Sequence, residues 1–94
     1  MNSAESKIAY FLDGMKIKYV HKPKSEKDVN FFLPEYDLYV IYWPRGGYSK
    51  DKRLKVKKSF DKSEILLVEI FEDNLDSLNN KFAFRLLEAL KKRK

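Results

Sequence analysis

Apolar residues recur along this chain with two different periods, and the switches between them mark out the elements. Ala4, Ile8, Leu12 and Met15 follow at spacings of four and three, which predicts a helix from Ser3 to about Asp13, capped by Ser3 and stopped by Gly14. Lys16 to His21 then alternates, placing Ile17, Tyr19 and His21 on one side of a short strand. Lys22 to Asp28, with Pro, Ser and several charges, reads as a loop. Val29 to Leu33 is apolar except for Asn30, and Pro34-Glu35 signals a tight turn. Tyr36 to Trp43 sets Leu38, Val40 and Tyr42 on one face and Tyr39, Ile41 and Trp43 on the other. Both faces are apolar, so this strand belongs at the centre of a sheet covered by helices on both sides.

Pro44-Arg45-Gly46-Gly47 ends that strand. The next segment, Lys50 to Lys62, fits two periods. Leu54 and Val56 alternate as in a strand, whereas Val56 and Phe60 share a helical face. Ile65 to Phe71 reads as a buried strand. Leu75, Leu78, Phe82, Leu86 and Leu90 then form the apolar stripe of a last helix capped by Asp73 or Asn74. The order is α-β-β-β-(α)-β-α, which predicts an α/β (α+β mixed) domain. A mixed sheet of about four strands is flanked by helices, and residues 1–94 form a single unit. Residues 90–94 are basic and read as a frayed end.

Charge adds a partner to this picture. Twenty Lys and Arg against fourteen Asp and Glu give a formal net charge of +6, which favours an anionic partner, nucleic acid first. High Lys and Glu usage is a weak sign of a thermophilic source. With no cysteine, disulfides, thiolate metal sites and cysteine nucleophiles are excluded. One histidine, His21, leaves the serines without partners for a catalytic triad, and Gly46-Gly47 alone is no phosphate loop. No window has the roughly 18 apolar residues of a membrane span, and the polar start lacks a signal-peptide core. A cytoplasmic protein without a membrane role is therefore expected.

The segment Asn30-Phe31-Phe32-Leu33-Pro34-Glu35-Tyr36-Asp37-Leu38-Tyr39-Val40-Ile41-Tyr42-Trp43 resembles the hairpin of the PD-(D/E)xK, or restriction-endonuclease-like, nuclease superfamily. The likeness is to its small helicase-associated and repair-type members, whose hairpin runs roughly Pro-Asp-Phe-x-Leu-Pro through Ile-Glu-Tyr-Trp-Gly. It extends from about Glu5 to Leu90. It implies a restriction-endonuclease-like fold and a divalent metal held by the Asp and Glu, with a lysine that orients the attacking water. Mg²⁺ needs such hard oxygen ligands.

The chain departs from that pattern where the metal would sit. Asn30 stands at the Asp position and Ile41 at the Glu position. A two-residue Pro34-Glu35 turn would pair Leu33 with Tyr36 and bring Asn30 and Ile41 to one face, without charge. The first expectation is therefore a catalytically degenerate nuclease-fold domain with no metal or other cofactor. It would bind nucleic acid, DNA foremost, through Arg45, Lys50, Lys52, Arg53, Lys55, Lys57, Lys58 and Lys62, and could act beside an active partner subunit. The second is an active Mg²⁺- or Mn²⁺-dependent DNA endonuclease with a rearranged catalytic site at Glu5, Asp28 and Lys57, Asp28 and Glu5 being the metal ligands. Glu5 matches a supporting Glu of the family, and Lys55 or Lys57 its helical lysine. The third is a protein-interaction module, such as a homodimer through the closing helix or a sheet edge. Against these stand plainer roles: Glu5 as a first-turn residue that complements the helix dipole, His21 as a surface residue, the strand aromatics as core, Tyr48 as the aromatic best placed to stack on a base, and the Lys50–Lys62 run as a solvated helix.

Overall fold

The structure is a computed structural model, and it describes residues 1–24 and 28–91. The elements are α1 (Ser3–Gly14), β1 (Val20–His21), β2 (Phe31–Leu33), β3 (Leu38–Trp43), α2 (Lys50–Ser63), β4 (Leu66–Phe71) and α3 (Leu78–Lys91), with a 3₁₀ turn (Glu72–Ser77) before α3. The four strands form one sheet in the order β1-β2-β3-β4. The first three run antiparallel, and β4 is parallel to β3 after the α2 crossover.

The sheet separates two cores. On one side α1 and α3 bring Ile8, Leu12, Leu78 and Phe82 onto Phe31, Leu33, Leu38, Val40, Val68 and Ile70. On the other, α2 brings Val56 and Phe60 onto Val29, Tyr39, Ile41 and Trp43. The two apolar faces of β3 are thus both covered by helices, as its sequence predicts. Each large side chain buried this way contributes roughly 2 kcal/mol.

Local chemistry sets the element ends. Asn2, not Ser3, caps α1: its side chain accepts the Glu5 amide at 2.8 Å, and Glu5 Oε1 accepts the Asn2 amide at 3.2 Å. This is a reciprocal capping box. Met15, expected on the apolar face, lies past the helix end and is exposed. The segment 50–62 is helical throughout. Ser49 caps it through the Lys52 amide, and Glu64 closes it in a left-handed conformation. The first strand is shorter than its alternation predicts, with only Val20 and His21 paired. The cap predicted at Asp73 or Asn74 is replaced by the 3₁₀ turn, where Asn74 Oδ1 accepts the Phe71 amide at 3.0 Å.

The hairpin register differs from the expected one. Pro34 to Asp37 form a four-residue connection in which the Tyr36 amide donates to Leu33 and the Asp37 amide to Pro34. Asp37 absorbs the reversal with φ 49°. Leu33 therefore pairs with Leu38, Phe32 with Tyr39 and Phe31 with Val40. The regular register stops there, because the Asn30 backbone amide donates to the Val40 carbonyl at 2.9 Å. The two-residue turn fails because Pro34 starts a wider loop in which Tyr36 packs against the first core. After β3, Gly46 takes φ 68° and the Gly47 amide donates to Pro44 at 3.1 Å. A Cβ on Gly47 would stand 2.6 Å from Pro44 Cγ, so the turn depends on that glycine.

Candidate functional site

Two polar clusters sit on opposite sides of the sheet. The first begins at the start of α1. The capping geometry places Glu5 over the end of the sheet, where it is only 1% exposed. Asn30, just before β2, donates from Nδ2 to Glu5 Oε2 at 3.0 Å and accepts the Tyr42 amide on Oδ1 at 2.7 Å. The Asn30 side chain thereby takes the place of a backbone acceptor where the β2–β3 ladder ends. His21 of β1 brings Nε2 to 3.1 Å from Glu5 Oε2, an ion pair when the imidazole is protonated. One carboxylate thus links α1 to the first two strands and, through Asn30, to β3.

Burial of Glu5 by itself would raise its pKa. Hydrogen bonds from Asn30 and Asn2 and the nearby His21 outweigh it, and the net effect holds the carboxyl below its ordinary value. Glu5 is therefore a buried carboxylate, not the simple first-turn acid of the sequence reading. His21, read as a surface residue, is partly buried against it.

The resemblance implied that Asn30 and Ile41 share a face. They do not. Ile41 is buried in the second core with Tyr39 and Trp43, while the Asn30 amide goes to Glu5 on the α1 side. The β3 residues turned toward that side are Leu38, Val40 and Tyr42. The three residues of the rearranged site each have their own surroundings. Glu5 is held by Asn2, Asn30 and His21. Asp28 is exposed, 3.9 Å from Lys52 Nζ. Lys57 lines a shallow groove of about 220 Å³ between α2, the outer edge of β4 and α3. A divalent ion needs several converging oxygens. Here both Glu5 oxygens have partners and Asn30 Oδ1 holds a backbone amide. Among the described residues no group of three or more His, Asp or Glu side chains is arranged to bind a metal. As arranged, these side chains do not converge on a divalent ion.

The second cluster lies on the α2 side. Glu69 is the one charged residue in the apolar run of β4 and faces the second core. Its Oε2 accepts Trp43 Nε1 at 2.8 Å and Arg53 Nε at 2.9 Å, and its Oε1 accepts Arg53 Nη2 at 3.2 Å. This bidentate pairing raises the Arg53 pKa further. The Arg53 guanidinium also lies 5.1 Å from the centre of the Phe71 ring. Tyr48 packs on Trp43 at 4.9 Å and is half-buried, not the projecting aromatic expected of it. The sequence signal for this cluster was the isolated Glu69; nothing local named its partners.

These pairings divide the predicted basic residues. Arg53 is bound to Glu69, Arg45 to Asp73 and Glu72, and Lys52 to Asp28. Lys50, Lys55, Lys57, Lys58 and Lys62 are all exposed, and their side chains make no hydrogen bond or ion pair to any described residue. The helix that carries them packs down through Arg53, Val56 and Phe60, the three α2 residues that are not exposed. The basic end at 92–94 lies outside the described residues, as do residues 25–27 of the β1–β2 loop. No described helix is long and apolar enough to cross a membrane. Set against known proteins, the chain matches no family model, no curated protein and no solved structure.

Proposed function

We propose that this domain binds nucleic acid through the exposed face of α2 and performs no cleavage. The carrying observation is the set of five lysines on one rigid helix, exposed and without ion pairs among the described residues. A surface helix that served only for solubility would be expected to intersperse acids with its lysines. Here only Asp51 and Asp61 do so. Lysines of this kind contact phosphate oxygens and release counterions, so the binding is electrostatic and falls steeply with salt.

The restriction-endonuclease-like ancestry is part of the same proposal. It is supported by the α-β-β-β-α-β-α order and the mixed sheet with its aromatic hairpin. The Glu5–Asn30–His21 cluster then stands where a metal site is expected and satisfies its own charge.

The test is titration of DNA with and without Mg²⁺ or Mn²⁺, following binding and nicking together. Binding that weakens with salt and is indifferent to metal, with plasmid left intact, is the expected result. Absence of binding at low salt overturns the proposal. Metal-dependent cleavage that Asp28→Ala abolishes would replace it with the rearranged endonuclease.

A further inference from the structure

The five lysines are not gathered in one row. At 3.6 residues per turn, Lys50 and Lys57 share one flank of α2 and Lys55 and Lys62 the other, roughly 120–160° apart about the axis. The Lys50/Lys57 flank is the one nearer the β4 edge, because Lys57 lines the groove there. Leu54 and Lys58 lie between the flanks together with the two acids Asp51 and Asp61, all exposed, Leu54 at 50%. The row from Lys50 to Lys62 is about 18 Å long at 1.5 Å per residue.

A single strand passing over this helix would meet one flank. Two phosphate backbones on either side of a groove would meet both. The major groove of B-form DNA, about 12 Å wide, admits a helix, whereas the A-form RNA major groove is deep and narrow. α2 protrudes enough to enter, since eleven of its fourteen residues are exposed. The aromatic residues around it do not form a stacking platform: Trp43, Tyr39 and Phe60 are buried, and Tyr48 is packed on Trp43. Single-stranded binding relies on such platforms.

Resting on the nucleic-acid reading above, we propose that α2 seats in the major groove of duplex DNA, its two lysine flanks on the two phosphate walls. Leu54, Lys58, Asp51 and Asp61 face the groove floor, where the two carboxylates oppose deep entry and leave attraction to the flanks. The contacts are to phosphates, so sequence preference is weak.

The test uses the whole chain and labelled duplex DNA, the matching single strand and a duplex RNA of the same length, followed by fluorescence anisotropy over a range of salt. Two variants each remove one flank: Lys50→Gln with Lys57→Gln, and Lys55→Gln with Lys62→Gln. All four lysines are exposed and without ion pairs among the described residues, so the fold persists; circular dichroism melting verifies it. The expected result is tightest binding to duplex DNA, with each paired variant lowering the slope of log K against log salt by about 2. Equal or tighter binding to the single strand or to duplex RNA overturns the groove model, as does a flank whose removal leaves the slope unchanged. Failure to bind any of the three overturns the nucleic-acid reading itself.

Discussion

Glu5 is the one charged residue that is buried among the described residues. It completes the α1 cap, holds Asn30 and faces His21 while only 1% exposed. Removing one partner of such a buried set leaves the others desolvated and unpaired. Glu5→Ala is therefore expected to cost about 2–3 kcal/mol in urea unfolding. The pH dependence has a definite sign. The folded-state pKa of Glu5 lies below its ordinary 4.5, so its stabilisation is complete above about pH 4.5 and is lost as pH falls through the lowered value. Glu5→Gln should remove that part of the acid transition, measured as a flatter profile of stability below pH 4.5.

Asn30→Asp tests the same cluster in the opposite direction. A second carboxylate would stand where an amide now donates to Glu5 at 3.0 Å. Two carboxylates that close raise the pKa of one of them. The variant should lose about 2 kcal/mol at neutral pH, and the loss should shrink on acidification toward pH 5. A penalty independent of pH would show that the amide acts by shape and not by its lack of charge.

At the scale of elements, the hydrophobic pattern identified six of the seven helices and strands, which bury a periodic face, and left α2 open between helix and strand. It misjudged their joins. The hairpin register rests on whether Pro34-Glu35 closes in two residues or opens into four. That choice is made by Tyr36 packing and by Asp37 accepting φ 49°, and neither has a local signature. That two-residue shift keeps faces in phase; Asn30 moves because the ladder breaks at it, its backbone amide donating to the Val40 carbonyl and its side chain to Glu5. The segment 50–62 was ambiguous because its core contact is only Val56 and Phe60, too sparse to select a period. Arg53 sits beside them on Glu69, a partner sixteen residues away that no local pattern reveals. The turn between β3 and α2 offers a direct test. Gly47→Ala forces a Cβ against Pro44 and is expected to lower stability by about 1–3 kcal/mol in thermal or urea unfolding.

Across the whole molecule, the sheet divides the work. Glu5, Asn30 and His21 connect α1 to one end of the strands, whereas the lysines project from α2 over the other face. Sites with no shared partners behave additively. Glu5→Gln should thus lower stability while leaving DNA affinity unchanged at a temperature where the variant is folded, measured by anisotropy. A parallel loss of affinity would mean that nucleic acid reaches the α1 side as well.

The outer edge of β4 has a further consequence. Arg85 Nη1 donates to the Glu69 carbonyl at 3.1 Å, and Asn74 accepts the Phe71 amide two residues along. By the alternation of a strand, these groups and those of Leu67 point away from β3, toward the rim of the sheet. An open strand rim is a template on which another copy can polymerise. The guanidinium and the amide side chain occupy that template from within the same chain, leaving Leu67 too short a run to recruit a neighbour. Arg85→Ala should accordingly keep its fold yet become prone to fibrillar self-assembly, seen as a shortened lag in thioflavin fluorescence at high concentration. An unchanged lag would show that the Arg85 contact has no part in keeping that rim closed.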